Sequence, residues 1–215
     1  MMIRADEGLT DTRTVREVLR RATVASHEQL HENHLLNQLA QKTISRDDYV
    51  ELHLRFHAYY TELDGIITSA CDRFTDHLNG YAYEPRSPIF SSDLADLAVP
   101  VVPPFAFALP LEILPPDIRC VGDLAGAAYV VEGSLLGGSQ LCKAASAVLP
   151  TDAGCGYWLW CRQNGGRRWA ATCRFIECVG RSEAQRAAMV ASAEATFGYL
   201  GVWLSPRTKI ASVHV

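Results

Sequence analysis

The sequence predicts an all-α protein of one domain, and three observations carry that prediction. Long stretches without proline place apolar residues at every third or fourth position, which is the spacing of a helix with one buried face. No two segments alternate apolar and polar residues as a β-hairpin requires. The 215 residues, 48% of them apolar and 20% charged, suit a single large core. We expect residues 1–215 to form this one domain, with flexible tails at about 1–11 and 206–215.

Two long helices are expected in the first part of the chain. The first covers about residues 12–41, and the second covers about 46–78. Ser45, followed three residues later by Asp48, has the spacing of a capping box at the start of the second helix. The apolar face of the first helix is formed by Val15, Val18, Leu19, Ala22, Leu30, Leu35, Leu36 and Leu39.

A proline-rich connector separates these helices from the C-terminal half. Ser91 or Ser92 could cap a short helix before it, and residues 100–116 are expected to be irregular because prolines interrupt them. We expect a break at Asn164-Gly165-Gly166, where asparagine and glycine favour a turn. The later helices are predicted at about 118–148, 157–179 and 182–204.

Composition excludes several classes of function. The net charge of −4 and the pI near 6.0 argue against nucleic acid as a partner. Arginine supplies 17 of the 20 basic residues, which favours binding of carboxylate or phosphate, although a GC-rich genome gives the same bias. We expect no membrane contact, because the N-terminus lacks an apolar signal region and prolines break the most apolar stretch. Seven cysteines without a CxxC pair favour reduced thiols in a cytoplasmic protein.

Glycines are concentrated in the helix predicted after the connector. Each glycine inside a helix costs about 1 kcal/mol relative to alanine, so this density needs an explanation. One explanation is that the small residues let another helix approach closely. The other is that the helix backbone itself lies against a ligand. The glycines concerned are Gly122, Gly126, Gly133, Gly137 and Gly138.

Histidines at helical spacing suggest a metal or heme ligand. His27, His31 and His34 share one face of the first predicted helix. Glu28 and His31 form one ExxH step of the kind used by di-iron bundles, but the chain has no second ExxH. A single axial imidazole to heme iron needs only one histidine and a large apolar slot.

Three motifs, taken in order, resemble the heme oxygenase family. LRRATVASH at Leu19–His27, followed by TISRDDY at Thr43–Tyr49, is similar to the N-terminal signature of that family. Tyr129–Leu141, with EGSLLGG at Glu132–Gly138, resembles its glycine-rich distal helix in the bacterial, biliverdin-producing form. Trp169–Leu204 resembles its last two helices.

The resemblance covers about residues 15–205 and implies a heme oxygenase-like helical bundle. It implies that His27 is the axial ligand of the heme iron. It also implies a distal wall at which catalysis takes place, formed by Gly133, Ser134, Gly137 and Gly138. The basic residues it implies for the heme propionates are Arg20, Arg168 and Arg174.

The activity implied by the resemblance is oxidative cleavage of heme to biliverdin, carbon monoxide and ferrous iron. Heme would be both cofactor and substrate, and dioxygen the oxidant. The chain has no flavin or nicotinamide fingerprint, so electrons would come from an external reductase or ferredoxin. Biliverdin could pass to a bacteriophytochrome.

Two positions depart from the family pattern. Ser134 stands where many members carry an aspartate that organises water, and His31 stands where a glutamate often follows the proximal histidine. The alternative function is therefore a heme carrier or sensor on the same fold, without turnover. A further alternative is a related helical enzyme that binds no heme and uses a cysteine nucleophile, although no cysteine lies in a supporting motif.

Overall fold

The computed structural model describes residues 14–110, 114–149, 151–205 and 209–210. The predicted tails fall outside these residues, apart from 209–210. The all-α prediction is confirmed. The strands among the described residues are the short antiparallel pair β1 (Phe107–Ala108) and β2 (Lys209–Ile210), which the sequence did not predict. The helices are α1 (Val15–Ala22), α2 (Val24–His31), α3 (His34–Ala40), α4 (Arg46–Arg73), α5 (Ser87–Asp96), α6 (Val121–Val148), α7 (Gly156–Val179) and α8 (Glu183–Trp203).

The first predicted helix is three short helices in the structure. The chain leaves α1 at Thr23, whose hydroxyl donates to the carbonyl of Leu19 at 2.9 Å. It leaves α2 before Asn33, whose side chain accepts from the backbone N–H of Leu36 and begins α3. Asparagine is a strong N-cap, so it competes with continuation of the helix.

The predicted break in α7 is wrong. The helix continues through Asn164, whose side-chain amide donates to the carbonyl of Trp160 at 3.0 Å. A Cβ on Gly165 would lie 3.2 Å from the carbonyl oxygen of Leu135, so this glycine allows α6 and α7 to pack closely. Glycine here serves helix packing and does not end the helix.

Carboxylates and an amide from distant helices fix where other helices begin. Asp64 in α4 accepts from the backbone N–H groups at the start of α5, at 2.9 and 2.8 Å, so α5 begins at Ser87 and not at Ser91 or Ser92. Asp93 accepts two N–H groups at the start of α7, at 2.6 and 2.9 Å. These contacts satisfy donors that every helix N-terminus leaves free, and they complement the helix dipole. Glu177 does the same for α1, at 3.1 Å to two N–H groups, and Gln185 for α6, at 2.7 Å.

Most of the α6 glycines serve helix packing. A Cβ on Gly122 would lie 2.6 Å from the side-chain oxygen of Gln185 in α8. A Cβ on Gly126 would overlap the backbone carbonyl of Met189, also in α8. Packing at this distance leaves no room for a side chain. This explains why α6 carries glycine at these positions although glycine lowers helix stability.

Replacing Gly126 with alanine should lower the free energy of unfolding by about 2 kcal/mol, because the Met189 carbonyl is helix backbone and does not yield. Gly65→Ala in α4 is the matched control. No atom lies within 4 Å of a Cβ there, so the variant should gain up to about 1 kcal/mol from helix propensity. Urea denaturation measures both. A Gly126→Ala variant as stable as wild type would contradict the packing described.

Candidate active site

His27 lies on α2, the helix least embedded in the structure. None of its eight residues is buried, and the helix rests mainly against α8. The His27 ring meets the ring of His31 edge-on at 4.6 Å and that of Phe197 at 6.2 Å. Partial burial and the nearby His31 imidazole lower the pKa of His27. A lowered pKa keeps this imidazole neutral at pH 7, the form that binds a metal.

Contacts on either side of α2 hold it near α6. Just before α2, the Thr23 side chain lies beside the hydroxyl of Tyr129 in α6. Beyond α2, α3 packs against α6. His27 lies one helical turn after Thr23, and Gly133 lies one turn after Tyr129. The contact therefore brings the two predicted ligand-facing segments to the same region of the fold.

An open depression of about 620 Å³ lies on the surface along α1 and the start of α2. Its lining includes Glu17, Arg20, Arg21 and Val24, and the Val24 side chain is 49% exposed. All four side chains are exposed, so this depression lies on the surface. Arg20 is accessible there, as a propionate partner requires.

Two glycines of α6 are candidates for a ligand-facing surface. Gly133 and Gly137 are four residues apart and so share one face of the helix. A Cβ on Gly133 would lie 3.3 Å from the ring of Trp169, whereas no atom lies within 4 Å of a Cβ on Gly137. Of the predicted distal residues, Gly137 has the most open surroundings.

Gly138 does not belong to this surface. It is buried, and a Cβ there would lie 2.7 Å from the sulfur of Cys161 and 3.7 Å from the ring of Trp158. Both neighbours are in α7, so Gly138 faces the α6–α7 interface. The prediction that it forms the distal wall is corrected: this glycine allows the two helices to approach.

Ser134 is half-buried beside these glycines. Its hydroxyl donates to the carbonyl of Val131 at 2.7 Å, and the side chain lies beside the buried Tyr60. The serine thus connects the glycine face of α6 with the interior of the protein.

Arg168 is held in a buried ion cluster and is not available to a propionate. Its guanidinium donates to both oxygens of Glu132, at 2.8 and 2.7 Å, and also to Glu84 and the carbonyl of Ala82. Arg168 is 8% exposed and Glu132 is 0% exposed. This geometry corrects the sequence-based assignment. Arg174, the third predicted propionate partner, is exposed on α7.

Arg86 is the functional-site neighbour that sequence reasoning missed. It is 0% exposed, and its Nη2 lies 2.7 Å from Oε2 of Glu132. Its guanidinium lies between the rings of Tyr83 and Trp160, at 4.8 and 4.9 Å from their centroids. The sequence indicates this pairing only indirectly, because a glutamate in an apolar, glycine-rich helix needs a buried cation. It does not identify Arg86 as that cation, since Arg86 precedes Ser-Pro in a segment that resembles a turn.

Two histidines of α4, four residues apart, are structural. His53 is fully buried, and its Nδ1 lies 3.1 Å from the carbonyl of Tyr49. His57 is also buried, and its Nε2 lies 2.9 Å from the Ser91 hydroxyl. Among the described residues, no group of three or more His, Cys, Asp or Glu could hold a metal ion.

A second cleft, of about 390 Å³, lies between α2 and α8. Its lining includes Leu30, Asn33, Phe197, Gly198 and Gly201, and no atom lies within 4 Å of a Cβ on either glycine. Open space therefore lies on more than one side of α2.

No described helix combines the length and apolarity needed to cross a membrane. All seven cysteines are free thiols.

Comparison with solved structures identifies the fold. The chain aligns with heme oxygenase from Neisseria meningitidis with a TM-score of 0.69 and 21% identity, over 89% of this chain and 90% of that one. It aligns with heme oxygenase from Leptospira interrogans with a TM-score of 0.65 and 14% identity, over 90% and 99% of the two chains. At the level of sequence, no protein-family model and no curated protein matches. The resemblance seen in the sequence is thus confirmed as a shared fold.

Glu132→Gln should lower the free energy of unfolding by about 3 kcal/mol, because it removes the carboxylate between two buried guanidinium groups. Glu51→Gln is the matched control. Glu51 pairs with Arg55 in α4 but is 39% exposed, so its loss should cost less than about 1 kcal/mol. Urea denaturation at pH 7 separates the two. Equal losses would contradict a structural role for the buried cluster.

Proposed function

We propose that this chain is a heme oxygenase that binds heme beside α2 and α6 and cleaves it to biliverdin, carbon monoxide and ferrous iron. The observation that carries the proposal is an exposed, neutral imidazole at His27 on a helix without buried residues. It occurs in a fold shared, over nearly the whole chain, with solved bacterial heme oxygenases.

The residues present fit a heme. His27 offers the axial nitrogen, and Arg20, on the preceding helix, is exposed beside a surface depression. Gly137 presents backbone where a side chain would project into open space. When bound, heme would supply both the iron that activates dioxygen and the porphyrin that is cleaved.

The chain's own groups bind and orient the substrate. His27 would hold the iron from one side and Phe197 would limit the tilt of its ring, because the two rings meet edge-on. Gly133 and Gly137 would leave the other side free of side chains. Arg20 and Arg174 would attract the propionates, since a guanidinium forms paired hydrogen bonds with a carboxylate. Ser134 could hold a water molecule on the side of the glycines.

Electrons would enter from a separate protein, a reductase or a ferredoxin, because the sequence has no nucleotide-binding motif of its own. This reaction would take place in the cytoplasm. The released biliverdin would then be available to a bacteriophytochrome or to further reduction.

The first experiment adds one equivalent of hemin to the purified protein and follows the visible spectrum before and after ascorbate in air. The expected result is a sharp heme band that decays into a broad red bilin absorption. His27→Ala should lose the spectrum of imidazole-ligated heme, whereas His31→Ala and His34→Ala should keep it. These two controls remove neighbouring histidines that are also exposed.

Each other outcome changes the proposal in a defined way. A stable heme band under reducing conditions would replace the oxygenase by the carrier or sensor. Loss of the imidazole spectrum in His31→Ala, and not in His27→Ala, would move the ligand by one helical turn. Absence of any hemin spectrum would overturn heme binding itself.

Gly137→Leu should weaken hemin binding at least tenfold without loss of stability, because its side chain would occupy the open space proposed for the porphyrin. Gly166→Leu on α7 is the matched control, since that glycine is equally exposed and has no atom within 4 Å of its Cβ position. Spectrophotometric hemin titration and thermal melting give the two readouts. Equal hemin affinity in both variants would exclude Gly137 from the site.

A further inference from the structure

Two histidines of α2 form a pair of which heme binding uses only one. His27 and His31 are four residues apart, so both project from the same face of the helix. Both side chains are exposed, and no described residue forms a hydrogen bond with either ring. The axial position on one side of a heme takes a single nitrogen, so heme binding through His27 leaves the His31 imidazole unused.

The distance between the two rings suits two ligands of one metal ion. Their centroids are 4.6 Å apart, and their planes are inclined at 70°. An imidazole nitrogen lies about 2.0–2.1 Å from a bound zinc ion, so two imidazoles at about 90–110° around one ion have centroids about 4.4–5.3 Å apart. The observed separation is within this range. Exposed side chains change rotamer within nanoseconds, so the rings can turn their nitrogens toward an ion without movement of the backbone.

The surroundings of the pair favour a divalent transition metal. The edge-on contact between His27 and Phe197 of α8, at 6.2 Å, limits the motion of one ligand and so reduces the entropy lost on binding. Glu28 is three residues before His31 and is its neighbour on the helix surface, where a carboxylate attracts a cation. Imidazole nitrogen suits zinc, copper and nickel, whereas magnesium and calcium prefer oxygen ligands.

We propose that His27 and His31 form a two-histidine site for a divalent transition metal ion, with water in the remaining coordination positions. A neutral imidazole has one unprotonated nitrogen, so His27 binds either this ion or heme iron, but not both. The ion therefore competes with heme and acts as an inhibitor of heme binding. The competition rests on the proposed function, whereas the metal site does not.

The metal site is tested first, with NiCl₂ and the heme-free full chain without an affinity tag. Calorimetry should detect one Ni²⁺ site. His27→Ala and His31→Ala should each bind Ni²⁺ at least tenfold more weakly, because either change leaves a single imidazole. Both variants should fold, since α2 has no buried residues. His34→Ala is the matched control and should bind as wild type does, because it removes an exposed histidine of the next helix, α3.

Nuclear magnetic resonance tests whether the two imidazoles act together. Paramagnetic Ni²⁺, added below one equivalent, should broaden the ring signals of His27 and His31 in parallel. Replacing either histidine with alanine should abolish the broadening of the other ring at the same Ni²⁺ concentration. Unchanged Ni²⁺ affinity in either variant, or broadening that persists without the partner ring, would overturn the two-histidine site.

The competition is tested by hemin titration with Ni²⁺ held at ten times its dissociation constant. The apparent dissociation constant of hemin should rise about tenfold in the wild type, by mass action. It should rise by about twofold at most in His31→Ala, which keeps the heme ligand but binds Ni²⁺ weakly. An unchanged hemin affinity in the wild type would overturn the competition.

The two proposals fail separately. Ni²⁺ bound by His27 and His31 in a protein that binds no hemin would support the metal site and reject the proposed function. Hemin bound through His27 in a protein without a Ni²⁺ site would reject the metal site alone.

Discussion

The buried carboxylate of Glu132 is the constraint on which the rest of the structure depends. A charge with 0% exposure is tolerable only when paired and hydrogen-bonded, and its two cations come from elsewhere in the fold. Arg86 approaches from the start of α5, and Arg168 comes from the middle of α7. Three helices are therefore held around one side chain. Because Gly133 and Ser134 follow Glu132 directly in α6, the same contacts set the position of these candidate site residues.

Capping between helices explains why α2 differs from its neighbours. The starts of α1, α5, α6 and α7 are each fixed by a side chain from another helix, so their ends have a definite position in the bundle. No side chain caps α2 by a hydrogen bond, and none of its residues is buried. The helix that carries His27 is therefore held at its flanks, while its face remains available to a ligand. A helix with no buried residues is locally less stable, and its side chains are accessible to a ligand.

Sequence reasoning reached the architecture because its signals are local. Proline-free periodicity located the long helices, and Ser45 does cap α4 by accepting from the N–H of Asp48. Contacts between residues far apart in the chain could not be predicted in this way. Nothing local distinguishes Gly138, which meets α7, from Gly137, which faces open space. Likewise Arg168 was predicted to bind a propionate, but the structure places Glu132, 36 positions earlier, against it.

The cap on α1 links the candidate site to the order in which the chain is made. The backbone N–H of Val15 bonds to Glu177, a residue 162 positions later, and α2 rests on α8, which follows further still. During translation the segment with His27 leaves the ribosome first, yet its anchors are synthesised last. At ordinary rates of about 5–20 residues per second, that interval is roughly 10–30 seconds. The helix that carries His27 therefore acquires its final setting only as synthesis nears completion.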